Sequence, residues 1–211
     1  MNKIVITIDG PAASGKEKIA KYISKKWRYK HLDSGTLYRR LASIILDSNV
    51  NFENIDEIKK ILRDNKSISF RKHKKLRTEK ISKIASKIAI HKFIRNKINK
   101  FQKKYVYDNL KNIGFVIDGR DIGSVVFKKA DLKLYIEVNP EIRAKRRYKQ
   151  LIDSGEKSIY PKILKDIKLR DKQDKLRKHS PLVVPKGSHI INNNGSFKNT
   201  ADQINIILDK F

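Results

Sequence analysis

A chain of 211 residues is long enough to bury a sizeable core, and the absence of any cysteine excludes disulfides and thiolate metal sites. It has no run of about 18 apolar residues to span a membrane, and "MNKIVITIDG" is too short and too alternating for a secretory signal, so a cytoplasmic protein is expected. Fifty Lys and Arg against 22 Asp and Glu leave a formal charge of +28, which suits an anionic partner such as nucleic acid, yet the basic residues gather in no tail.

The run "KIVITI" alternates and is β-branched, which predicts a buried strand. The stretch "IDGPAASGKEK" follows, in which Gly10, Gly15 and Lys16 satisfy G-x-x-x-x-G-K. From Ser14 to Trp27, Ile19, Ala20 and Ile23 recur at helical spacing. Strand, glycine loop and helix form the context of a phosphate loop. The two glycines allow the curve that aims N–H groups at phosphate oxygens, the helix adds its positive end, and Lys16 brings a charge for the β- and γ-phosphates. The next position should be Ser or Thr, but it is Glu17.

"KHLDSG" predicts a short strand ending in a turn, and "TLYRRLASIIL" a helix with Leu37, Leu41, Ile44 and Ile45 on one face. The Ser34 hydroxyl, the Tyr38 phenol and the Arg39 guanidinium suit a base edge and a phosphate. Ser34 as a helix N-cap beside an exposed Arg39 explains the same residues. "ENIDEIKKIL" reads as a short helix and "SISF" as a brief strand. Ile81, Ile84, Ala85 and Ile88 form a helical stripe, continued from Phe93 to Leu110 after a break near His91.

"GFVID" predicts a second buried strand, with Asp118 at its carboxyl end, where ligands bind in open α/β sheets. An acid there suits a Mg²⁺-bound water. Arg120 and Asp121 follow on the loop. "LKLYIEV" is a third strand, Pro140 opens the helix "EIRAKRRYKQLI", and "YPKILKDIKLRDKQDKLRK" is another helix. A last strand, "SHIINN", and an amphipathic helix, "TADQINIILDKF", close the chain. Arg170, Asp174 and Arg177 share one helix face, which would serve as a surface ion-pair ladder. Arg143, Arg146 and Arg147 would serve as a solvated face. Beside a phosphate loop, both sets suit arginines that close over a moving phosphoryl group. His31, His73, His91, His179 and His189 are scattered singly and form no metal constellation. Alternating strands and helices predict one α/β domain over 1–211 with a parallel sheet of about five strands covered by helices. Only 48–100 could stand off as a subdomain.

The segments "IDGPAASGK", "HLDSGTLYR", "LRTEKISKIAS", "IDGRDIGSVVF", "RRYKQL" and "LRDKQDKLRKHSPL" resemble, in order and spacing, those of bacterial cytidylate kinases, over almost the whole chain apart from roughly 48–75. The resemblance implies a P-loop kinase fold with a reduced acceptor subdomain over 48–100 and a helical lid with its flanking helices over 143–177. It implies transfer of the ATP γ-phosphoryl group to CMP or dCMP with Mg²⁺. The metal would be carried by ATP, not held directly by the protein, with Asp118 suited to one of its waters. The acceptor-site residues would be Ser34, Tyr38, Arg39, Ser86, Arg95, Asp118, Arg120, Asp121, Arg170, Asp174 and Arg177. The serines, Asp121 and Asp174 would recognise base and sugar, and the arginines the phosphates. Gly10, Pro11, Ala12, Ala13, Ser14, Gly15, Lys16, Glu17 and Lys18 would form the ATP phosphate site. Arg146 and Arg147 would lie in the lid. Lys16, Arg120, Arg147, Arg170 and Arg177 would assist the transfer itself.

Two departures stand out. Family loops usually read G-P-x-G-x-G-K-G-T, whereas Ala13, Glu17 and Lys18 stand here at the second Gly, the fourth Gly and the Thr. The missing hydroxyl removes a phosphate contact worth about 1–3 kcal/mol. Either Glu17 turns outward and Lys18 replaces part of the attraction, or the ATP site is weakened. The insert that normally precedes "LRT" is cut down to "SISFRKHKK", which implies looser base selectivity. The expectation is a monomeric kinase with ATP and CMP or dCMP as substrates and no membrane partner. Its rivals are a kinase for UMP or AMP and a degenerate P-loop protein that binds RNA through its basic surface. The latter would not need the acceptor-site residues, all of which are present.

Overall fold

The computed structural model describes residues 3–63, 68–71, 73–153 and 155–211. Within them run β1 (Ile4–Asp9), α1 (Lys16–Trp27), β2 (Lys30–Asp33), α2 (Ser34–Asp47), α3 (Ile55–Arg63), α4 (Glu79–Ile88) and α5 (Lys92–Tyr107), followed by β3 (Gly114–Gly119), β4 (Leu132–Glu137), α6 (Pro140–Asp153), α7 (Tyr160–Leu176), β5 (His189–Asn192) and α8 (Phe197–Leu208). The strands form one sheet in the order β2-β3-β1-β4-β5, with β1 parallel to β3 and β4, and β4 parallel to β5. This is the parallel α/β sheet that the alternation of elements predicts. Strand β1 is central, with neighbours on both edges, and every residue from Val5 to Asp9 is buried, the polar Thr7 and Asp9 included. The chain leaves β1 toward β2 and later crosses to β4, so the loop after β1 lies at the point where the strand order reverses. Ligands of open α/β sheets sit at such points.

The chain divides into two compact units, one formed by the residues up to His31 with Ile113–Phe211, the other by Leu32–Asn112. The first is built around Ile6, Ile8, Ile19, Ile23, Val116, Leu134, Ile136, Ile191 and Ile204. A smaller cluster, Ala144, Leu151, Ile163 and Ile167, joins α6 to α7. The second packs Leu37, Leu41, Ile45, Ile58, Ile84, Ile88, Ile94 and Ile98. Each such side chain removed from water contributes about 1.5–3 kcal/mol.

Local signals differ from expectation in two places. Ile68–Phe70 is irregular, not a strand, and Ser67 lies outside the described residues. A short β-prone run forms a strand only where a neighbouring strand pairs with it; Phe70 packs instead on Phe101 and Tyr105 of α5. Helix α2 is capped by Asp33, whose carboxylate accepts from the Thr36 backbone N–H, and Ser34 is its first residue.

Candidate active site

The loop after β1 takes positive φ at three positions, Gly10, Ala13 and Gly15. Gly10 has φ +152°, and a Cβ there would lie 2.7 Å from the Ile136 carbonyl oxygen, so no other residue fits. Ala13 occupies the left-handed region at φ +57°. Gly15, at φ +85°, caps α1, and its carbonyl accepts from the N–H groups of Lys18 and Ile19. The Lys16 ammonium is buried and donates to the Pro11 carbonyl at 2.6 Å and the Ser14 hydroxyl at 3.0 Å. Burial, and after it the Arg120 guanidinium, hold Lys16 well below its ordinary pKa, against the pull of Asp118, Asp9 and Asp174.

Glu17 points along α1 and pairs with Lys21 at 2.9 Å. Its charge is therefore engaged one helical turn on. Lys18 sets its ammonium 4.0 Å from the centre of the Phe197 ring.

At the carboxyl end of β3, Asp118 and His31 share a hydrogen bond of 2.6 Å, both well shielded. The next loop and α7 converge on Asp174. Arg120 donates to it through Nε at 3.1 Å and Arg177 through Nη1 at 3.3 Å. Arg177 also faces Asp121 at 3.8 Å and donates to the Ser180 carbonyl. Burial pushes the Asp174 carboxyl up, but Arg120, Arg177 and Arg170 together outweigh it and hold the group below its usual value. The result is a buried carboxylate with three guanidinium charges around it, next to a lysine at a helix N-terminus. Such a site can take phosphate groups from more than one side.

In the second unit, Arg39 donates to the Asp33 carboxylate at 2.5 Å. Arg95 is buried, donates to the Ala89 carbonyl at 3.0 Å and lies over the Tyr38 ring. Ser86 is half-buried on α4 and Ser34 is buried at the start of α2.

Of the arginines on α6, Arg146 reaches the Gly195 carbonyl at 3.0 Å, and Arg147 is half-buried. Arg143 is not on a solvated face, being only 2 % exposed. Its guanidinium grips Asp171 of α7 with two bonds of 3.0 and 2.5 Å and donates to the carbonyls of Ala12 and Val138, each at 3.0 Å. It ties the phosphate loop to α7, with all three guanidinium nitrogens hydrogen-bonded. Nothing in "EIRAKRR" separates this arginine from its neighbours. Asn193 was legible by the same rule that marks Asp118, because it follows β5 at its carboxyl end. Its amide donates to the Ser14 carbonyl at 2.8 Å, and its oxygen accepts from Thr200 at 2.7 Å. Among the described residues, no three His, Cys, Asp or Glu are grouped to hold a metal ion.

A family model described as cytidylate kinase matches residues 6–211. The chain is 38 % identical over 192 residues to a cytidylate kinase of Fusobacterium nucleatum subsp. nucleatum, covering 86 % of each. It is 40 % identical over 186 residues to a cytidylate kinase of Rickettsia felis, covering 88 % of this chain and 82 % of that one. Among solved structures it is similar to the TT1252 protein of Thermus thermophilus, with a TM-score of 0.54 and 16 % identity, covering 100 % of this chain and 99 % of that one. A Eubacterium ventriosum protein matches with a TM-score of 0.55 and 15 % identity over 100 % of both chains. These two likenesses concern the fold.

Proposed function

The chain belongs to the cytidylate kinase family, and from that premise we propose that it transfers the γ-phosphoryl group of ATP to CMP or dCMP, giving ADP and CDP or dCDP. The observation that carries the assignment of roles is the convergence of Arg120 and Arg177 on Asp174 in the same unit as the buried Lys16. Lys16 and the N–H groups from Gly10 to Lys18 hold the ATP phosphates. Arg120, Arg170 and Arg177 hold the acceptor phosphate and spread over the transferring group, where charge builds as the phosphoryl moves. The acceptor oxygen is the nucleophile, so no side chain forms a covalent intermediate. Ser34, Tyr38, Arg39, Ser86 and Arg95 serve the base, the sugar and the acceptor phosphate, together with Asp121 and Asp174. Arg146 and Arg147 close with the lid and keep water from the γ-phosphate.

Mg²⁺ bound to the triphosphate would neutralise its charge, and the Asp118 carboxylate, at a strand end and close enough to Lys16 to raise its pKa, suits a water of that ion. We take the working form to be a cytoplasmic monomer. No described helix is long and apolar enough to cross a membrane.

The test is coupled ADP release with ATP, Mg²⁺ and each of CMP, dCMP, UMP, AMP and GMP. Turnover led by CMP or dCMP supports the reading, and turnover led by UMP or AMP reassigns the acceptor. ATP hydrolysis unaffected by any monophosphate would sink it.

A further inference from the structure

Asp9 ends β1, one residue before the phosphate loop, and is fully buried. Its two carboxylate oxygens accept separate backbone N–H groups, from Ile122 at 2.8 Å and Gly123 at 2.7 Å. These amides open the π-helical turn Ile122–Val126, directly after Arg120 and Asp121. The fit is close: a Cβ on Gly123 would lie 2.7 Å from the Thr7 hydroxyl and 3.3 Å from the Asp9 carboxylate. We infer that Asp9 is a positioning residue for the acceptor phosphate, clasping the backbone of Ile122 and Gly123 and thereby fixing the loop from which Arg120 and Asp121 meet Asp174 and Arg177. The inference rests on the kinase reading for its kinetic consequence, though the clasp itself does not.

Two features separate this role from ordinary packing. The bonds run to main-chain N–H groups, so the clasp sets where the loop lies whatever its side chains do. The clasp also depends on ionisation, because a carboxylate accepts at both oxygens and a carboxylic acid must donate from one. Burial raises the Asp9 pKa from 3.8 to about 6, against the two N–H bonds; Asp121 raises it further and the Lys16 ammonium lowers it, while the Tyr135 phenol on β4 shares the same field. Above pH 6 both bonds hold. Below it the native protein takes up a proton that the unfolded chain does not bind until near pH 3.8, so folding grows more favourable while one bond of the clasp is lost. Stability and acceptor binding therefore move in opposite directions between pH 7 and pH 5, which a purely structural residue would not produce.

The experiment compares wild type with Asp9→Asn and Gly123→Ala, using Asp131→Asn as a control. Asp131 makes the same kind of bond, to the Val5 N–H at 2.7 Å, but near the opposite end of β1. Hydrogen exchange at Ile122 and Gly123 should quicken at least tenfold in Asp9→Asn and stay unchanged in the control. Calorimetric CMP affinity and KM for CMP should worsen about ten- to hundredfold in both Asp9→Asn and Gly123→Ala, with KM for ATP within about twofold of wild type, since each lost bond to a charged group is worth about 1.5–3 kcal/mol. The acceptor phosphate itself titrates near pH 6, so the pH readout is the difference between the two profiles. The ratio of wild-type to Asp9→Asn affinity should shrink from pH 7.5 to pH 5.5. Unchanged amide exchange, or equal losses for ATP and CMP, would overturn the inference. Quickened exchange in a protein that proves inert toward CMP would leave the clasp standing and defeat the kinase reading instead.

Discussion

Ala13 holds a backbone conformation that its methyl group disfavours, with φ at +57°. Left-handed geometry costs a non-glycine residue about 1–2 kcal/mol, part of which a glycine returns through the greater freedom of its unfolded chain. Ala13→Gly should therefore stabilise the protein by about 0.5–1 kcal/mol in urea unfolding. Arg177 carries a different load, since it touches both Asp174 and Asp121. Arg177→Ala should lower kcat by about 10²–10³, the cost of losing one preorganised donor to a transition-state oxygen. Arg120 and Arg170 remain near Asp174, so its circular dichroism should stay native. A variant with near-wild-type kcat would remove Arg177 from the reaction.

Among the elements, the join of α6, α7 and the phosphate loop depends on one side chain. Arg143 satisfies Asp171 and two carbonyls at once, and a lysine has neither the planar fork nor the reach for all of them. Arg143→Lys should destabilise by about 3 kcal/mol, as breaking a buried pair does, and raise KM for ATP, because the Ala12 carbonyl loses its partner. Thermal melts and initial rates on the same preparation would check both. The same residue marks the limit of sequence reading. The β1–loop–α1 unit, the strand that carries Asp118 and the placement of Arg170 and Asp174 one turn apart on α7 were legible because spacing and sheet topology state them. Arg177 is not on the helix face that the i, i+7 spacing predicts, because α7 ends at Leu176 and Arg177 caps it in an extended conformation. Arg143 was not, because a buried arginine and a solvated one have the same local sequence and differ only in what the fold brings to them. Asp33 and Ser34 are adjacent and both good caps, so composition could not choose between them; the observed start of α2 does. For "SISF", strand propensity was present but no partner strand is hydrogen-bonded to the part described.

For the whole molecule, the +28 charge sets the long-range behaviour. Like charges spread over one folded chain repel, and both substrates are anions drawn by the same field. Salt screens both effects over about 10 Å at 0.1 M. Raising NaCl from 20 mM to 500 mM should therefore raise the melting temperature while KM for CMP increases. A melting temperature that falls with salt would mean that the ion pairs made by the 22 acids outweigh the repulsion among the surplus basic residues. The same titration in the presence of a short RNA measures how much of the field is free to hold nucleic acid.

The strand order has a consequence for how the chain is made. Ile4 pairs with Gly114 and Ile6 with Leu132, so as the chain emerges from the ribosome its first strand waits for partners that are synthesised much later. During that interval Leu32–Asn112 can gather its own core, but "IVITI" has nothing to pair with. An unpaired, β-branched, uncharged segment is the kind that neighbouring nascent chains capture. Truncation before β3 should therefore yield aggregates, whereas a chain that extends through β4 has both flanking strands for its first one.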